Sequence, residues 1–182
     1  MIRRLLDGLY LGAGVLAGLF LIAIFVLMML LSVGRLIELN IPDGDLFVSW
    51  SMAATAFLGL AHTFKSGEMI RVGLLIDRFR GRLRWWFEMA SLLIGVAFIG
   101  FFAWHAVRFV YDSWRFNDMA TGVIPNLPIW IPQLGYAAGL VILLIALLDE
   151  VVHVAGGNAP RYEKPPPVSA EEVIERAVQS GV

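Results

Sequence analysis

The chain has 182 residues, of which 59% are hydrophobic and 16% charged, with a formal net charge of −1 and no cysteine. Soluble domains carry about 25% charge, so this balance, with a mean hydropathy of +0.76, excludes a soluble enzyme, a nucleic-acid binder and a disordered chain, and indicates a membrane protein. Without cysteine there is no disulfide, thiol redox centre, cysteine-bound zinc or iron–sulfur cluster.

A helix needs roughly 20 apolar residues to cross the hydrocarbon of a bilayer. The first candidate span is 8–34, which is free of charge between Asp7 and Arg35. It is read as a retained span, because it far exceeds the h-region of a signal peptide and no A-x-A-like site closes it. The second span is 46–64, between Asp45 and Lys65. The segment after it places Met69, Val72, Leu75, Ile76, Phe79 and Leu83 on one helical face, with Arg71, Asp77, Arg78, Arg80, Arg82 and Arg84 on the flanks and back. That pattern predicts an amphipathic helix lying in the cytoplasmic interface. Its arginines either bind lipid phosphates or serve only to enforce topology.

The third span is 87–107, with a charge-free core from Met89. Arg108, Asp112 and Arg115 follow at i, i+4 and i+7, as in an extended last turn where they can pair. Asn117, Gly122, Pro125 and Asn126 then mark irregular chain. The fourth span is 130–148, started at Trp130 because Pro125, Pro128 and Pro132 crowd the residues before it. The fold class is therefore all-α and integral to the membrane. Four transmembrane helices occupy a membrane domain at 1–155, with the interfacial helix between spans two and three. A cytoplasmic tail covers 156–182. Pro165, Pro166 and Pro167 make it a stiff spacer, and Ser169 with Glu171 and Glu172 caps a short helix to about Gln179.

Orientation follows from lysine and arginine in the short loops. An even number of spans puts both termini on one side, which then holds 11 of the 14 basic residues against 3 on the other. Both ends are expected in the cytoplasm. Trp50, Trp85, Trp86, Trp104, Trp114 and Trp130 all fall near span ends, where an indole N–H stays wet.

The spans carry little chemistry. None has an acidic or basic residue in its interior, where ion-coupled carriers place their ligands. Ser32, Ser49, Ser51, Thr55 and Ser91 are read as interhelical hydrogen-bonding groups. His62 and His105 sit at opposite ends of their spans, about 30 Å apart in depth, too far to share a haem, and His153 lies beyond span four. There is no candidate for a catalytic triad, a metal cluster or a phosphate loop, so neither a cofactor nor an enzyme is expected. The Gly8/Gly12, Gly14/Gly18 and Gly135/Gly139 pairs allow close helix approach, within the bundle or to a partner. These features describe an accessory subunit of a larger membrane partner.

Two stretches carry a family likeness. The run from Gly59 to Val72, with Lys65, Gly67, Glu68, Ile70 and Arg71, resembles the exit of span two in DctQ-type small subunits of tripartite ATP-independent periplasmic (TRAP) transporters. Leu127-Pro128-Ile129-Trp130-Ile131-Pro132 is similar to that family's entry into span four. Met69 and Gly73 stand where His and Asp are frequent in the family, so no role of those side chains carries over. The resemblance covers roughly residues 5–155. It implies a small scaffold subunit in the bacterial inner membrane, paired with a large multi-span subunit of the DctM type that holds the substrate and sodium sites. It also implies a periplasmic substrate-binding protein that delivers an organic-acid-type solute.

On this reading Lys65, Gly67, Glu68, Arg71, Arg78, Arg80, Arg82, Arg84, Trp85, Trp86, Pro128, Trp130 and Pro132 face lipid or the large subunit. Glu38, Asp43, Asp45, Arg115 and Asp118 contact the binding protein, or else are solvated loop charges. The competing readings are an autonomous four-span carrier or channel acting as a homo-oligomer, and a membrane anchor of a redox complex.

Overall fold

The computed structural model describes residues 2–38, 41–66, 82–120 and 127–157. Within them lie four long helices: α1 (Ile2–Leu36), α2 (Gly44–Ser66), α3 (Arg82–Arg115) and α4 (Trp130–Ala155). All four are long and apolar enough to cross a membrane. The amphipathic helix expected between spans two and three, and the helix expected in the tail, fall outside the described residues. At 1.5 Å per residue α1 and α3 reach about 50 Å, well beyond a hydrocarbon core of about 30 Å, so both tilt or project from it. α3 does continue to Arg115, although no ion pair within 4.0 Å links Arg108, Asp112 and Arg115.

The helix ends follow from local chemistry. α3 stops at Asn117, whose φ of 53° is left-handed. The Asp118 N–H donates to Ser113 O and the Asn117 N–H to Trp114 O, the paired bonds of a Schellman cap. α4 ends at a left-handed Gly157, with φ 79° and its N–H on Val154 O. α4 begins at Trp130 with Pro132 in its first turn, where a missing N–H costs nothing. Ahead of it Pro128 bridges Met119 antiparallel, so the connection from α3 folds back on itself.

The four helices form an open row, α1–α2–α4–α3, and not a closed ring. α1 packs on α2, α2 on α4 and α4 on α3, while α1 touches α4 only lightly. We call the end where α1 and α3 begin the near end and the other the far end. α2 and α4 run parallel through the middle, each from far to near. The most apolar stretch of α4 is 44% buried, against 11% for α1.

Small residues set the spacing at the centre. A Cβ on Gly135 would stand 2.8 Å from the Ala54 side chain, and one on Gly139 would collide with the backbone of Phe57 and Leu58. The Gly135/Gly139 pair is therefore spent on α2, inside the chain. Gly14 seats the His62 ring, but Gly8, Gly12 and Gly18 face open space. Around this axis the core divides into three patches. Ala13 and Ala17 meet Ala54 and Leu58; Ala103 and Ala106 meet Ala137 and Leu140; Ala61, Met89, Leu92, Leu143, Leu147 and Val154 close the near end.

The serines and threonines of α2 do not bridge helices as the sequence suggested. Ser49, Ser51 and Thr55 each donate to the carbonyl four residues back, at 2.8 Å. That carbonyl lies within reach of every helical hydroxyl, so no partner helix is needed. Gly139→Val must push α2 and α4 apart and should lower the stability of the full chain in detergent by ~1–3 kcal/mol, whereas Gly12→Val should leave it unchanged. Thermal unfolding of the two variants checks this, and equal melting temperatures would contradict the packing.

Candidate functional site

Two kinds of surface offer themselves as a site: the uncovered apolar flanks of the row, and the polar groups gathered at its ends. On α1, Val15, Leu19, Ile22, Val26, Met29 and Val33 are all exposed. Their i+3/i+4 spacing puts them on one face, and Gly8 and Gly12 extend that stripe to the near end. α3 exposes Phe98, Phe101, Phe102 and Trp104. An apolar flank of this length needs lipid or another protein against it.

At the near end the polar groups tie helices together. Lys65 of α2 forms an ion pair with Asp7 of α1 and lies 4.7 Å from the centroid of the Tyr10 ring. His62 Nδ1 is 3.3 Å from Tyr10 O. On α3, Arg84 Nε–H donates to Glu88 Oε1 at 3.0 Å. Trp85 Nε1–H donates to Val154 O at 3.2 Å across to α4. The same carbonyl accepts the Gly157 N–H, so the indole adds a second bond to the last turn of α4 and ties it to α3. So Trp85 is not the wet interfacial indole that its position suggested. Trp86, set edge-on to Trp85 at 5.2 Å, is 59% exposed and suits the headgroup level.

Sequence reasoning missed two carboxylates. Glu88 and Glu150 lie just outside the charge-free spans yet are only 6% and 5% exposed. Their helical register gave the signal: Glu88 shares a face with Trp85 and Leu92, and Glu150 with Leu143, Leu147 and Val154. Arg84 answers the first, and Glu150 is not left without a partner. Gln133, in the first turn of α4, is also buried, and its Oε1 has no hydrogen-bond partner among the described residues.

The remaining expected site residues scatter. Gly67, Glu68, Arg71, Arg78 and Arg80 lie outside the described residues, and Arg82 begins α3. Pro132 lines an apolar groove of about 270 Å³ at the far half, with Phe20, Phe47, Trp50, Ser51 and Gly135. The Ser51 hydroxyl there is already committed to Phe47 O. At the far end Arg35 sits 3.8 Å from Asp45, both exposed. Glu38 and Asp43 take left-handed turns of φ 58°. Arg115 ends α3, and the Asp118 carbonyl accepts the Ile129 N–H. Trp130 opens α4. The structure brings Arg84 and Trp85 onto one seam and leaves the far-end acids spread along it. The His105 ring lies tilted against Phe101, with centroids 4.3 Å apart, on a different helix from His62. Among the described residues no three metal-ligating side chains converge.

Phenylalanine at Trp85 should cost about 1 kcal/mol of stability through the lost bond to Val154, and Trp86→Phe less than about 0.5 kcal/mol. Equilibrium unfolding of the two variants in detergent would show it; a smaller loss for Trp85→Phe than for Trp86→Phe would contradict the assignment.

Comparison with known proteins adds one match. The family model described as "Tripartite ATP-independent periplasmic transporters, DctQ component" matches residues 24–156. No curated protein matches the chain.

Proposed function

Since the chain belongs to the DctQ components of the TRAP transporters, we propose that it is the fixed scaffold against which a large DctM-type subunit carries out sodium-coupled uptake of an organic-acid-type solute. As a member of that family it is a small multi-pass membrane subunit of a transporter, and not an enzyme. The family works with a DctM subunit and a substrate-binding protein. The observation that carries the proposal is the open row. Its outer helices leave whole apolar flanks uncovered, and the charged groups it buries, such as Glu88, sit at span ends and not at mid-depth. An ion-coupled carrier places charge where the ion must pass; a scaffold needs only faces that hold still.

In this reading the uncovered flank of α1 or of α3 lies against the large subunit. Both termini are cytoplasmic in the bacterial inner membrane, as the loop charges favour. The arginines between spans two and three, Arg71, Arg78, Arg80, Arg82 and Arg84, hold anionic lipid at the seam between subunits. Glu38, Asp43, Asp45, Arg115 and Asp118 then face the periplasm, where the binding protein docks.

Reconstitution tests the function. Proteoliposomes holding both membrane subunits should accumulate solute with an inward sodium gradient and the binding protein present, while those holding this chain alone should not. Uptake by this chain alone would contradict the proposal. Glutamine at Arg71, Arg78, Arg80 and Arg82 together should reduce recovery of the two-subunit complex or its lipid content. The two subunits co-purified from detergent, with their phospholipid counted, would show no change if those arginines only set topology.

A further inference from the structure

The outer face of α3 is apolar for most of its length, but it carries polar groups at a depth where the outer face of α1 offers only carbon. At 100° per residue Phe101, His105, Arg108 and Asp112 fall within about 60° of one another. They lie on the side of α3 opposite to Ala103, Ala106 and Ser113, which are buried. Phe101, His105 and Arg108 are exposed and Asp112 is half-buried. Phe98, also exposed, extends the stripe by a turn toward the near end.

The depth of these groups follows from contacts on the other face of the helix. Val107 and Val110 line an apolar depression with Leu134 and Ala138 of α4, and Ala103 and Ala106 meet Ala137 and Leu140. Arg108 therefore stands level with residues 134–138, about 6–12 Å inside the start of α4 at Trp130. His105 lies deeper still, near the middle of the charge-free run 130–148 and further in than the sequence suggested. The exposed rings of Tyr111 and Trp114 lie outside both, toward the far end, and mark the headgroup level. Helical Cα–Cβ bonds tilt toward the N-terminus; those of α3 lean toward the near end and carry the Arg108 side chain away from the far headgroups. Arg108 forms no ion pair within 4.0 Å among the described residues, although Asp112 is one turn away.

A guanidinium in hydrocarbon is costly, and ionisable side chains at such depth face other protein groups or water. α1 has no such need: its exposed Val15, Leu19, Ile22 and Val26 are hydrocarbon alone, and lipid serves them as well as protein does. A second copy of this chain does not fit the α3 face. Two copies inserted the same way round and paired through it would set Arg108 against Arg108 at one depth, and like charges so placed repel. The acceptor must come from a different chain.

We propose that the outer face of α3, and not that of α1, seats the large subunit. The occupant is a transmembrane helix that sets a carboxylate against Arg108 and packs apolar side chains on Phe98 and Phe101, with His105 as a hydrogen-bonding group between them. This assignment rests on the scaffold reading and fixes the flank which that reading leaves open.

The two membrane subunits, co-expressed and purified together, test it. With p-benzoylphenylalanine in place of Phe101, ultraviolet light should cross-link the chain to the large subunit; in place of Ile22 on α1, it should not. Arg108→Leu takes a charge out of an apolar setting, so the chain still inserts and folds, yet recovery of the large subunit with it should fall by about tenfold. Arg108→Lys, which keeps the charge, should stay within about threefold of the natural chain. The proposal is overturned, and the scaffold reading left standing, by any of four results: no cross-link from Phe101 to the large subunit, one from Ile22 as strong as from Phe101, capture of a second copy of this chain from Phe101, or undiminished recovery with Arg108→Leu. Two subunits that never co-purify would overturn both.

Discussion

Inside a bilayer apolar side chains gain nothing by leaving water, so helices are held by how closely they approach, and in this chain α4 meets α2 backbone to backbone at Gly139. Gly135 repeats the contact one turn away, against Ala54. The two helices run parallel, and their connection is α3 with the segments that flank it. This central pair fixes what the outer helices can do. α1 attaches to the free side of α2 through Ala13 and Ala17, and α3 to the free side of α4 through Ala103 and Ala106. Alanine on these seams serves the same end as glycine at the centre, since it keeps the helix axes close without filling the space between them.

A row arranged this way has two long flanks and no enclosed interior. A closed bundle turns its apolar stripes inward; here large residues such as Phe25, Ile94 and Phe98 point outward. Several polar groups, by contrast, are used up locally. Lys65 ties α1 to α2, Arg84 answers Glu88, and the Trp85 N–H caps α4. Hydroxyls in mid-span return to their own helix. The result is a slab stiffened at its near end and apolar along both edges. That suits a family whose members work beside a larger membrane subunit.

The four long apolar helices were legible because charged residues bound their apolar runs: Asp7, Arg35, Asp45, Lys65, Glu88 and Arg108 bracket them, and the prolines near Trp130 set the start of α4. The lateral order of the helices was not legible. Hydropathy gives depth along the membrane normal, and a helix that faces lipid is as apolar as one that faces a neighbour. The Gly135/Gly139 and Gly8/Gly12 pairs look alike in sequence, yet the first is buried against α2 and the second is open. The burial of Glu88 and Glu150 was readable in principle from helical register, but both lie just past the charge-free windows. The tryptophans at span ends look alike in sequence, although Trp85 turns toward Val154 and Trp86 toward the surroundings.

The row order is the premise on which the uncovered flanks and the scaffold role depend, and cysteine pairs can measure it, because the natural chain has no cysteine. In membranes, oxidation of the chain carrying Ala54→Cys with Gly135→Cys should give an intramolecular cross-link, reporting the α2–α4 contact. The chain carrying Ala17→Cys with Val96→Cys, on the inward faces of α1 and α3, should give none. Efficient cross-linking of the second pair within one chain would mean a closed ring of helices, and the account of an open slab would be wrong.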